Sequence, residues 1–553
     1  MDKRRWHSSY PPRMPKDIEL DGQQTLVTLI EQALAAFAER RAATCAGETL
    51  RYAELDRLSR ALGAYLQASG LVQGDRVALM LPTSLPFLVA LTGVLRSGFV
   101  VVTVNPLYTA RELEQQLADS GAAVVIATES LLPTLREILP RTAVRQILPA
   151  AITGLQTVAT SLAESKEGSL EAEIAVESGK PELALAAALR IGHAAHWTPA
   201  SVRPADPALL QYTGGTTGVS KGAVLTHRNV SASTAQILSW VRLSVSKDAP
   251  SLVTPLPLYH IYPLGVSLAW LVLGGINRLV PNPRDTASVI QAMKQAPFEM
   301  LIAVNTLFNA LVNTPELSTV DFSATCLATG AGASVQAAVA RRWLEAGGTP
   351  ITEAYGLSET SPSATFNPPG RNGTIGIPVP STDVRIVDDE ERDVALGAPG
   401  ELLIRGPQLF AGYWNRPEET RKAFTADGWF KTGDVVTMDE AGFMYMVDRK
   451  KDMILVSGFN VYPNEIEAVV AMMPEVLECA CVGVSDARCG EVPHLFAVPR
   501  QPELTREQIE AHCRRNLAAY KIPRHITLID ALPKSTVGKI LRRELRQSEE
   551  KAA

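Results

Sequence analysis

Short apolar runs alternate with helical periods in the first quarter of the chain, and this alternation constrains the fold more than any other feature. Three runs, at 75–81, 99–104 and 122–127, are brief and rich in valine or alanine, as buried strands are. Apolar residues at i, i+3 and i+4 predict helices before and between these runs, over 26–38, 52–68, 86–97 and 110–119. Because strands that alternate with helices form crossover units, the pattern predicts a mostly parallel sheet covered by helices.

The rest of the chain divides into segments of different character. Residues 151–205 have no strong period and are interpreted as a surface excursion. From about residue 372, short strands separated by Gly and Pro indicate a smaller β-rich subdomain. After the charged segment 449–452 a compact α+β pattern begins, so we place a domain boundary near residue 450. A chain of 553 residues is too long for one core, which agrees with several domains.

The composition argues against several classes of protein. With 46% hydrophobic and 20% charged residues, the chain is expected to be an ordinary soluble globular protein. A net charge of −5 gives no basic surface for nucleic acid, so no nucleic-acid partner is expected. The six cysteines contain no CxxC pair, which favours a reducing compartment over a disulfide framework. Cys479 and Cys481 are interpreted as core residues on one face of a strand, not as zinc ligands.

The sequence offers no strong signal for a membrane span or for secretion. The stretch 249–277 has no charged residue, but prolines and glycines interrupt it, so it predicts a buried helix or strand pair. The basic N-terminal residues are not followed by an apolar segment and are not interpreted as a secretory signal. We expect a cytoplasmic protein. Peripheral contact with the inner face of the membrane and a homodimer stay open.

The segment 211–229 concentrates glycine, threonine, serine and lysine. Glycines allow turns whose backbone N–H groups bind anions, while hydroxyls and a lysine add further donors. The candidate phosphate-binding residues are Thr213, Gly214, Gly215, Thr216, Thr217, Gly218, Ser220 and Lys221. It is not a Walker A loop, because Ser220 precedes the lysine and Gly222 follows it. A flexible surface loop is the alternative, but apolar runs on both sides favour a binding loop carried by a sheet.

The segment 354–360 offers groups suited to a nucleotide. Tyr355 and Gly356 provide a flat aromatic ring and bare backbone for a base. Ser358 adds a hydroxyl and Glu359 a carboxylate, and Mg²⁺ needs only one or two carboxylates when phosphates and waters complete its shell. Taken alone, the segment is better explained as a serine-capped helical turn.

Three segments nearer the C-terminus complete the pattern. Asp434, in 429–434, is suited to accept hydrogen bonds from ribose hydroxyls, and Arg449 supplies a rigid set of donors. The segment 457–467 is a glycine loop that leads into a helix. In 533–545, Lys539 directly follows a glycine in a predicted turn. Taken alone, each is an ordinary turn or a solvated basic tail.

Together and in this order, the segments resemble the core motifs of the adenylate-forming superfamily of acyl-CoA synthetases, aryl ligases, peptide-synthetase adenylation domains and luciferases. The similar segments are YTGGTTGVSKG, YGLSE, TGD, DRKKD, SGFNVYPNEIE and PKSTVGKILRREL. The resemblance extends from about residue 20 to residue 547. Four longer segments look like bacterial long-chain fatty acid–CoA ligases in particular: 105–122, 255–264, 304–313 and 447–467.

The resemblance implies a fold and a reaction. The fold is α/β: a large N-terminal domain (1–450) of two αβ-layered sheets with a small β subdomain, then a small mobile α+β C-terminal domain (451–553). In the reaction, a fatty acid carboxylate attacks the α-phosphate of ATP, which gives acyl-AMP and pyrophosphate. The thiol of CoA then attacks acyl-AMP and releases AMP. ATP, Mg²⁺ and CoA are the implied cofactor and co-substrates.

The resemblance also implies roles in nucleotide binding. Residues 213–221 would hold the β- and γ-phosphates, Glu359 Mg²⁺ and Ser358 the α-phosphate. The family usually has threonine at the position of Ser358, so the hydroxyl is retained. The residues that would hold adenosine are Ala354, Tyr355 and Gly356 at the adenine, and Asp434 and Arg449 at the ribose.

The remaining implied roles concern the acyl group and the second half-reaction. Lys539 resembles the lysine that bridges the substrate carboxylate and the α-phosphate, and Lys451 resembles the hinge. Rotation at the hinge would withdraw Lys539 and bring Gly458 to the pantetheine path. His260 resembles the aromatic gate beside the carboxylate site. The predicted wall of the acyl pocket consists of Gly330, Ala331 and Gly332.

Other functions on the same fold are compatible with these residues. The nearest alternatives are a medium-chain or aryl acid–CoA ligase, and a fatty acyl-AMP ligase that serves a carrier protein. A luciferase-like oxygenase would use the same adenylation step but consume oxygen and emit light. A non-enzymatic regulator would bind nucleotide without turnover. The acyl chain length cannot be derived from these residues.

Overall fold

The computed structural model describes residues 4–164, 181–213, 220–245, 248–456, 459–486, 488, 490–535 and 538–550. Its strands form sheets of nine, six, four and five strands. The strands are β1 (Arg41–Cys45), β2 (Glu48–Arg51), β3 (Arg76–Met80), β4 (Val100–Thr103), β5 (Val124–Thr128), β6 (Gln146–Ala150), β7 (Pro207–Thr213), β8 (Lys221–Thr226), β9 (Ser251–Thr254), β10 (Ile276–Leu279), β11 (Met300–Ala303), β12 (Leu327–Gly330), β13 (Ile351–Tyr355), β14 (Thr365–Phe366), β15 (Ile377–Pro378), β16 (Asp383–Val387), β17 (Gly400–Arg405), β18 (Phe430–Met438), β19 (Met444–Arg449), β20 (Ile454–Val456), β21 (Phe459–Val461), β22 (Val476–Asp486), β23 (Gly490–Pro499) and β24 (His525–Leu528).

Helices cover the large sheets and alternate with their strands, so the predicted α/β fold class is confirmed. The α-helices are α1 (Leu26–Ala36), α2 (Tyr52–Ala68), α3 (Leu85–Arg96), α4 (Ala110–Ser120), α5 (Leu132–Ile138), α6 (Leu155–Glu164), α7 (Leu185–Ala194), α8 (His227–Ser244), α9 (Ile261–Val272), α10 (Thr286–Lys294), α11 (Asn305–Val312), α12 (Ala337–Glu345), α13 (Pro417–Ala423), α14 (Pro463–Val470), α15 (Arg506–Asn516) and α16 (Arg542–Glu550).

The six-stranded sheet has the order β6-β5-β3-β4-β7-β8 and is parallel except for the pair β7–β8. Side chains alternate along its strands. In β3, Val77 and Leu79 belong to one hydrophobic cluster, while Ala78 and Met80 belong to another on the opposite face. Because both faces are buried, these strands are continuous apolar runs in the sequence.

The nine-stranded sheet has the order β15-β14-β13-β12-β11-β9-β10-β1-β2, with parallel pairs from β13 to β1 and antiparallel strands at the two edges. Residues of α1, α2, α3 and α7 share one hydrophobic cluster with strands of both large sheets. These helices therefore form the layer through which the two sheets are joined.

A buried arginine ties three helices of this layer together. Arg96, the last residue of α3, is fully buried. Its Nε donates to Glu31 of α1 at 2.6 Å, and its Nη2 donates to Asp56 of α2 at 2.7 Å. A buried charge is tolerated only when it is paired and hydrogen-bonded, so the two carboxylates are what allow Arg96 to lie there.

The two smaller sheets follow the large domain in the chain. The four-stranded sheet β16-β17-β18-β19 is antiparallel and forms the predicted β subdomain. The five-stranded sheet has the order β21-β20-β23-β22, with β24 parallel to β23, and α14 and α15 pack on it. Cys479 and Cys481 on β22 are buried in its core, as predicted.

The interpretation of residues 151–205 as a surface excursion was wrong for the part that the structure describes. That part contains α6 and α7, and Leu185, Ala188 and Leu189 of α7 are buried beside α2. The sequence of α7, LAAALRIGHA, consists mostly of small or apolar residues. Without polar residues on one face, its helical period has too little contrast to be recognised.

The uncharged stretch 249–277 is buried inside the large domain. It forms β9, the helix α9 and the start of β10, and ten residues of α9 are buried. The predicted buried helix is therefore confirmed. No helix that the structure describes has both the length and the apolar character needed to cross a bilayer.

Candidate active site

Several of the predicted site residues lie at the ends of strands in the two large sheets. Ligands of parallel α/β sheets usually bind beyond the carboxyl ends of the strands. Gly330 ends β12 and Tyr355 ends β13 in the nine-stranded sheet, while Thr213 ends β7 in the six-stranded sheet. The side chain of Gln211 donates to the backbone carbonyl of Tyr259 at 2.9 Å. This bond fixes β7 against the segment that leads into His260.

The flanks of the Gly/Thr-rich loop are joined to each other. Thr213 and Lys221 are opposite residues of the antiparallel pair β7–β8. The Ser220 hydroxyl donates to the Thr213 carbonyl at 2.6 Å. Gly214, Gly215, Thr216, Thr217 and Gly218 lie outside the described residues, so their predicted phosphate contacts stay predictions. The loop connects two paired strands, whereas a Walker A loop leads from a strand into a helix.

The predicted adenosine residues lie together at the end of β13. The Tyr355 hydroxyl donates to Asp434 Oδ2 at 2.6 Å, and Arg449 Nε lies 3.2 Å from Asp434 Oδ1. Asp434 and Arg449 are directly paired across β18 and β19. A side chain at Gly356 would place its Cβ 1.5 Å from the carbonyl oxygen of Pro362, so only glycine fits there. Ala354, the neighbour of Tyr355 on β13, pairs with Phe366 of β14.

Ser358 and Glu359 begin a short 3₁₀ turn, Ser358–Thr360, after this strand. Glu359 is buried, and burial raises the pKa of its carboxyl group. Its Oε1 accepts a hydrogen bond of 2.7 Å from the hydroxyl of Tyr413. Tyr413 was not among the predicted site residues.

One buried carboxylate is a suitable donor set for Mg²⁺ in a nucleotide site. Within the described residues there is no group of three or more His, Cys, Asp or Glu that could hold a metal by themselves. Mg²⁺ is commonly held by one or two carboxylates together with substrate phosphates and water. Glu359, close to the Lys221 end of the Gly/Thr-rich loop, fits this pattern, whereas a zinc or calcium cage would need more ligands.

Lys539 comes from the C-terminal part of the chain and lies near the Asp434–Arg449 pair. Its side chain is exposed to solvent. Desolvation by the neighbouring protein and the charge of Arg449 lower the pKa of Lys539 to about 7. Lys451 and Arg542 act in the same direction, while Asp434 opposes them. An exposed ammonium group beside the Asp434–Arg449 pair is accessible to an anionic ligand.

The loop that carries Lys539 rests directly on the large domain. Gly538 has a φ of +75°, and a Cβ at this position would lie 2.1 Å from Oγ1 of Thr306 in α11. The Lys539 carbonyl accepts the Ser535 N–H at 2.7 Å, and the Lys539 N–H donates to the Ser535 hydroxyl at 3.1 Å. The turn is therefore closed by its own hydrogen bonds and fitted to α11 by a residue without a side chain.

His260 precedes α9 and lies within the electrostatic influence of Lys539. Burial, together with the Lys539 charge, lowers the pKa of His260 to about 4, so the ring is neutral near pH 7. Its Nε2 is buried and has no hydrogen-bond partner among the described residues. The ring packs at 4.9 Å from that of Tyr259.

The predicted wall of the acyl pocket continues from β12 into the following loop. Gly330 packs so closely that a Cβ there would lie 2.5 Å from Val335 Cγ2, and Gly332 adopts a φ of +79°. Ala331 is buried. Glu353, which sequence reasoning missed, holds this loop: its carboxylate accepts the N–H of Val335 at 2.7 Å.

The predicted hinge lies between two acidic residues that contact one arginine. Arg542 Nη1 lies 3.5 Å from Asp448 Oδ1, before Lys451, and 3.7 Å from Asp452 Oδ2, after it. Its Nη2 also donates to Glu467 at 2.8 Å. After Tyr413 and Glu353, Arg542 is a third residue that the sequence did not indicate as functional. Gly458 lies outside the described residues, so its predicted place on the pantetheine path stays a prediction.

Comparisons with known proteins cover nearly the whole chain. Residues 30–414 match the family described as AMP-binding enzyme, and residues 465–539 match the AMP-binding enzyme C-terminal domain. A long-chain-fatty-acid–CoA ligase of Escherichia coli O157:H7 is 44% identical over 98% of both chains. One of Yersinia pestis is 45% identical over 99% of this chain and 98% of its own.

A solved structure shares the fold as well. The ATP-bound form of MatB from Rhodopseudomonas palustris superposes with a TM-score of 0.83 at 27% identity, over 96% of this chain and 100% of that chain. The family model matches most of the chain, and the two relatives are similar to it over nearly their full length. This similarity goes beyond a shared fold. The chain therefore belongs to the AMP-binding enzyme family.

Proposed function

We propose that this protein is an ATP-dependent long-chain fatty acid–CoA ligase that forms acyl-AMP and pyrophosphate and then acyl-CoA and AMP. The observation that supports the proposal is that Lys539 lies close enough to the Asp434–Arg449 pair and to His260 for their charges to interact. A cation placed there lies between the groups suited to the nucleotide and those suited to the acid. The full-length relatives named above are long-chain-fatty-acid–CoA ligases, which supports the same substrate class.

In the first half-reaction the residues bring together two groups of like charge. Tyr355 and Gly356 hold the adenine, and Asp434 and Arg449 hold the ribose. Lys221 and the loop before it hold the β- and γ-phosphates, while Ser358 contacts the α-phosphate. Lys539 then donates to both the α-phosphate and the fatty acid carboxylate, and its charge stabilises the negative charge that grows between them. His260, which is neutral, borders the carboxylate without adding charge.

Glu359 is the residue that would hold Mg²⁺. When it is bound, the ion neutralises phosphate charge, which makes the α-phosphate easier for a carboxylate to approach. Glu359 supplies one carboxylate at the proposed triphosphate site, where the hydroxyl of Tyr413 donates a hydrogen bond to it.

In the second half-reaction, CoA attacks acyl-AMP at the same site, and different residues of the C-terminal domain face it. The N-terminal domain (1–450) keeps the acyl-AMP, with Gly330, Ala331 and Gly332 along the acyl chain. The C-terminal domain (451–553) turns about Lys451, which withdraws Lys539 and brings Gly458 to the path of the CoA thiol. Gating of this kind excludes the wrong partner from each half-reaction.

Mass spectrometry of the products tests the proposed function. Purified protein is incubated with Mg·ATP and a series of fatty acids of increasing length, with and without CoA. Acyl-CoA and AMP, formed best with long chains, are the expected products. Acyl-AMP that accumulates and does not react with CoA would instead indicate a carrier protein as the acceptor. Turnover of aryl or medium-chain acids alone would contradict the long-chain assignment.

The Glu359→Gln variant is expected to need more Mg²⁺ for acyl-AMP formation. The amide keeps the shape of the side chain but removes the charge that binds the ion. Mutation of a residue that only orients a metal ligand already costs roughly tenfold to a hundredfold in metal affinity, so loss of a direct ligand should cost at least as much. A titration of the initial rate against Mg²⁺ at saturating ATP measures the change. A half-saturating concentration equal to that of the wild type would argue against a metal role for Glu359.

The rate of acyl-AMP formation should fall as the pH rises through about 7. Surrounding protein and Arg449 lower the pKa of Lys539 to about 7 in the empty site, and only the protonated amine carries the charge that the reaction needs. The ratio kcat/KM reports the ionisation of the free enzyme, so it should show this decline. Lys539→Arg should remove the decline, because a guanidinium stays protonated. A wild-type profile that is flat up to pH 9 would contradict the assignment.

A further inference from the structure

Tyr413 is fixed by its backbone to the strand that begins with Lys221. The N–H of Ala411 donates to the Val224 carbonyl, and the N–H of Val224 donates to the Gly412 carbonyl, each at 2.9 Å. The N–H of Trp414 donates to the Gly222 carbonyl at 2.7 Å. These backbone hydrogen bonds place Tyr413 beside Lys221, the residue at the C-terminal end of the Gly/Thr-rich loop.

The side chain of Tyr413 contacts the two charged residues of the candidate phosphate site, one with each end. Its hydroxyl donates to Glu359 Oε1 at 2.7 Å. The Nζ of Lys221 lies 5.3 Å from the centre of its ring, a distance typical of a cation–π contact. The backbone supports the first contact, because the N–H of Phe410 donates to the carbonyl of Glu359 at 2.8 Å.

One tyrosine side chain therefore contacts both an ammonium group and a carboxylate. Opposite charges at short range attract strongly when little water screens them, and Glu359 is buried. In a direct ion pair, Lys221 and Glu359 would bind each other, and a ligand would have to break that pair before it could bind either group. In the observed arrangement the ammonium contacts a ring and the carboxylate accepts a hydrogen bond from a hydroxyl, and the two are not joined in an ion pair.

We propose that Tyr413 is a positioning residue that holds Lys221 and Glu359 apart in the empty enzyme and keeps both aimed at the triphosphate and Mg²⁺. The proposal rests on the proposed function, because it takes the ligand to be Mg·ATP. It adds Tyr413 to the candidate site as the residue that fixes the position of Lys221 relative to Glu359. Tyr413 itself undergoes no chemical change.

Binding of two nucleotides distinguishes this role from a general structural one. Mg·ATP carries the β- and γ-phosphates and the metal, whereas AMP carries only the part that Tyr355, Asp434 and Arg449 are suited to hold. Isothermal titration calorimetry with the full chain therefore compares Mg·ATP with AMP in the wild type and in Tyr413→Phe. The phenylalanine keeps the ring under Lys221 and removes only the hydroxyl.

Tyr413→Phe is expected to bind Mg·ATP roughly tenfold more weakly, the size of effect that loss of a hydrogen bond to a charged group produces. Its affinity for AMP should match that of the wild type. Tyr413→Leu, which also removes the ring, should weaken Mg·ATP binding further. The matched control is Tyr445→Phe, which removes a tyrosine–carboxylate hydrogen bond of 3.0 Å to Asp439 in the β subdomain. It should bind both nucleotides as the wild type does.

Two results would overturn the proposal. One is unchanged affinity of Tyr413→Phe for Mg·ATP. The other is an equal loss for Mg·ATP and AMP, which would mean that the substitution disturbs the whole site. Failure of the wild type to bind either nucleotide is a separate outcome that would remove the proposed function, and this inference with it. Because Tyr413→Phe changes one oxygen atom only, the test does not depend on whether Tyr413→Leu folds.

Discussion

The Lys539→Ala variant is expected to lose acyl-AMP formation by about 100- to 1,000-fold, the effect of removing one preorganised donor from a developing negative charge. It should still convert supplied acyl-AMP and CoA to acyl-CoA. The physical reason is that the Lys539 ammonium lies near Asp434 and Arg449 in the arrangement in which its loop rests on α11. In the proposed mechanism the thioester step begins after that loop has left.

Two assays on the same preparation measure this split. Pyrophosphate release in the presence of fatty acid and Mg·ATP follows the first half-reaction, and acyl-CoA formation from synthetic acyl-AMP follows the second. Lys521→Ala is a suitable control, because that lysine belongs to the same part of the chain but forms a surface ion pair with Glu465. Exposed pairs contribute little, so both rates should be retained. An equal loss of both half-reactions in Lys539→Ala would refute the assignment.

The Lys451→Pro variant should show the opposite split, with acyl-AMP formation kept and thioester formation reduced. Proline fixes φ near −65° and also restricts the residue before it, so residues 450 and 451 can no longer make a large backbone rotation. Forcing a backbone into an unfavourable conformation costs about 1–3 kcal/mol. A cost of that size lowers the population of the rotated arrangement by roughly fivefold to 150-fold.

Lys451→Ala separates the backbone effect from loss of the side chain. Alanine removes the amine but leaves φ free, so it should support both half-reactions. The same two assays apply, and the ratio of the two rates is the quantity to compare across wild type, Lys451→Ala and Lys451→Pro. Thioester formation by Lys451→Pro at the wild-type rate would show that the pivot lies elsewhere.

Local patterns explain why much of the fold was predictable from the sequence. The strands of the six-stranded sheet are buried on both faces, which makes them continuous apolar runs, and α2 has a clear amphipathic period. The same reasoning failed at α7, where small apolar residues surround the helix and no polar face marks its orientation. Periodicity is recognised when polar and apolar residues alternate between the two faces of a helix. The first five residues of α7, LAAAL, contain no polar residue.

The candidate site shows a similar division. Tyr355, Asp434 and Arg449 lie in segments whose residue types already suggest a nucleotide, and the structure brings these three together. Tyr413, Glu353 and Arg542 could not be found in this way. Tyr413 reaches Glu359 across 54 positions and Arg542 reaches Asp448 across 94. Contacts over such distances depend on the completed fold, and no local pattern marks the residues that make them.

The close fit of Gly538 against Thr306 has a consequence for the balance between domain arrangements. The loop can lie on α11 only if residue 538 has no side chain and accepts a positive φ. In the proposed mechanism, a larger residue at 538 would destabilise the arrangement in which this loop lies on α11. A substitution that destabilises only one of two states shifts the equilibrium toward the other. Under that proposal, Gly538 would set the fraction of enzyme molecules that are ready for ATP and the fatty acid, separately from the role proposed for Lys539.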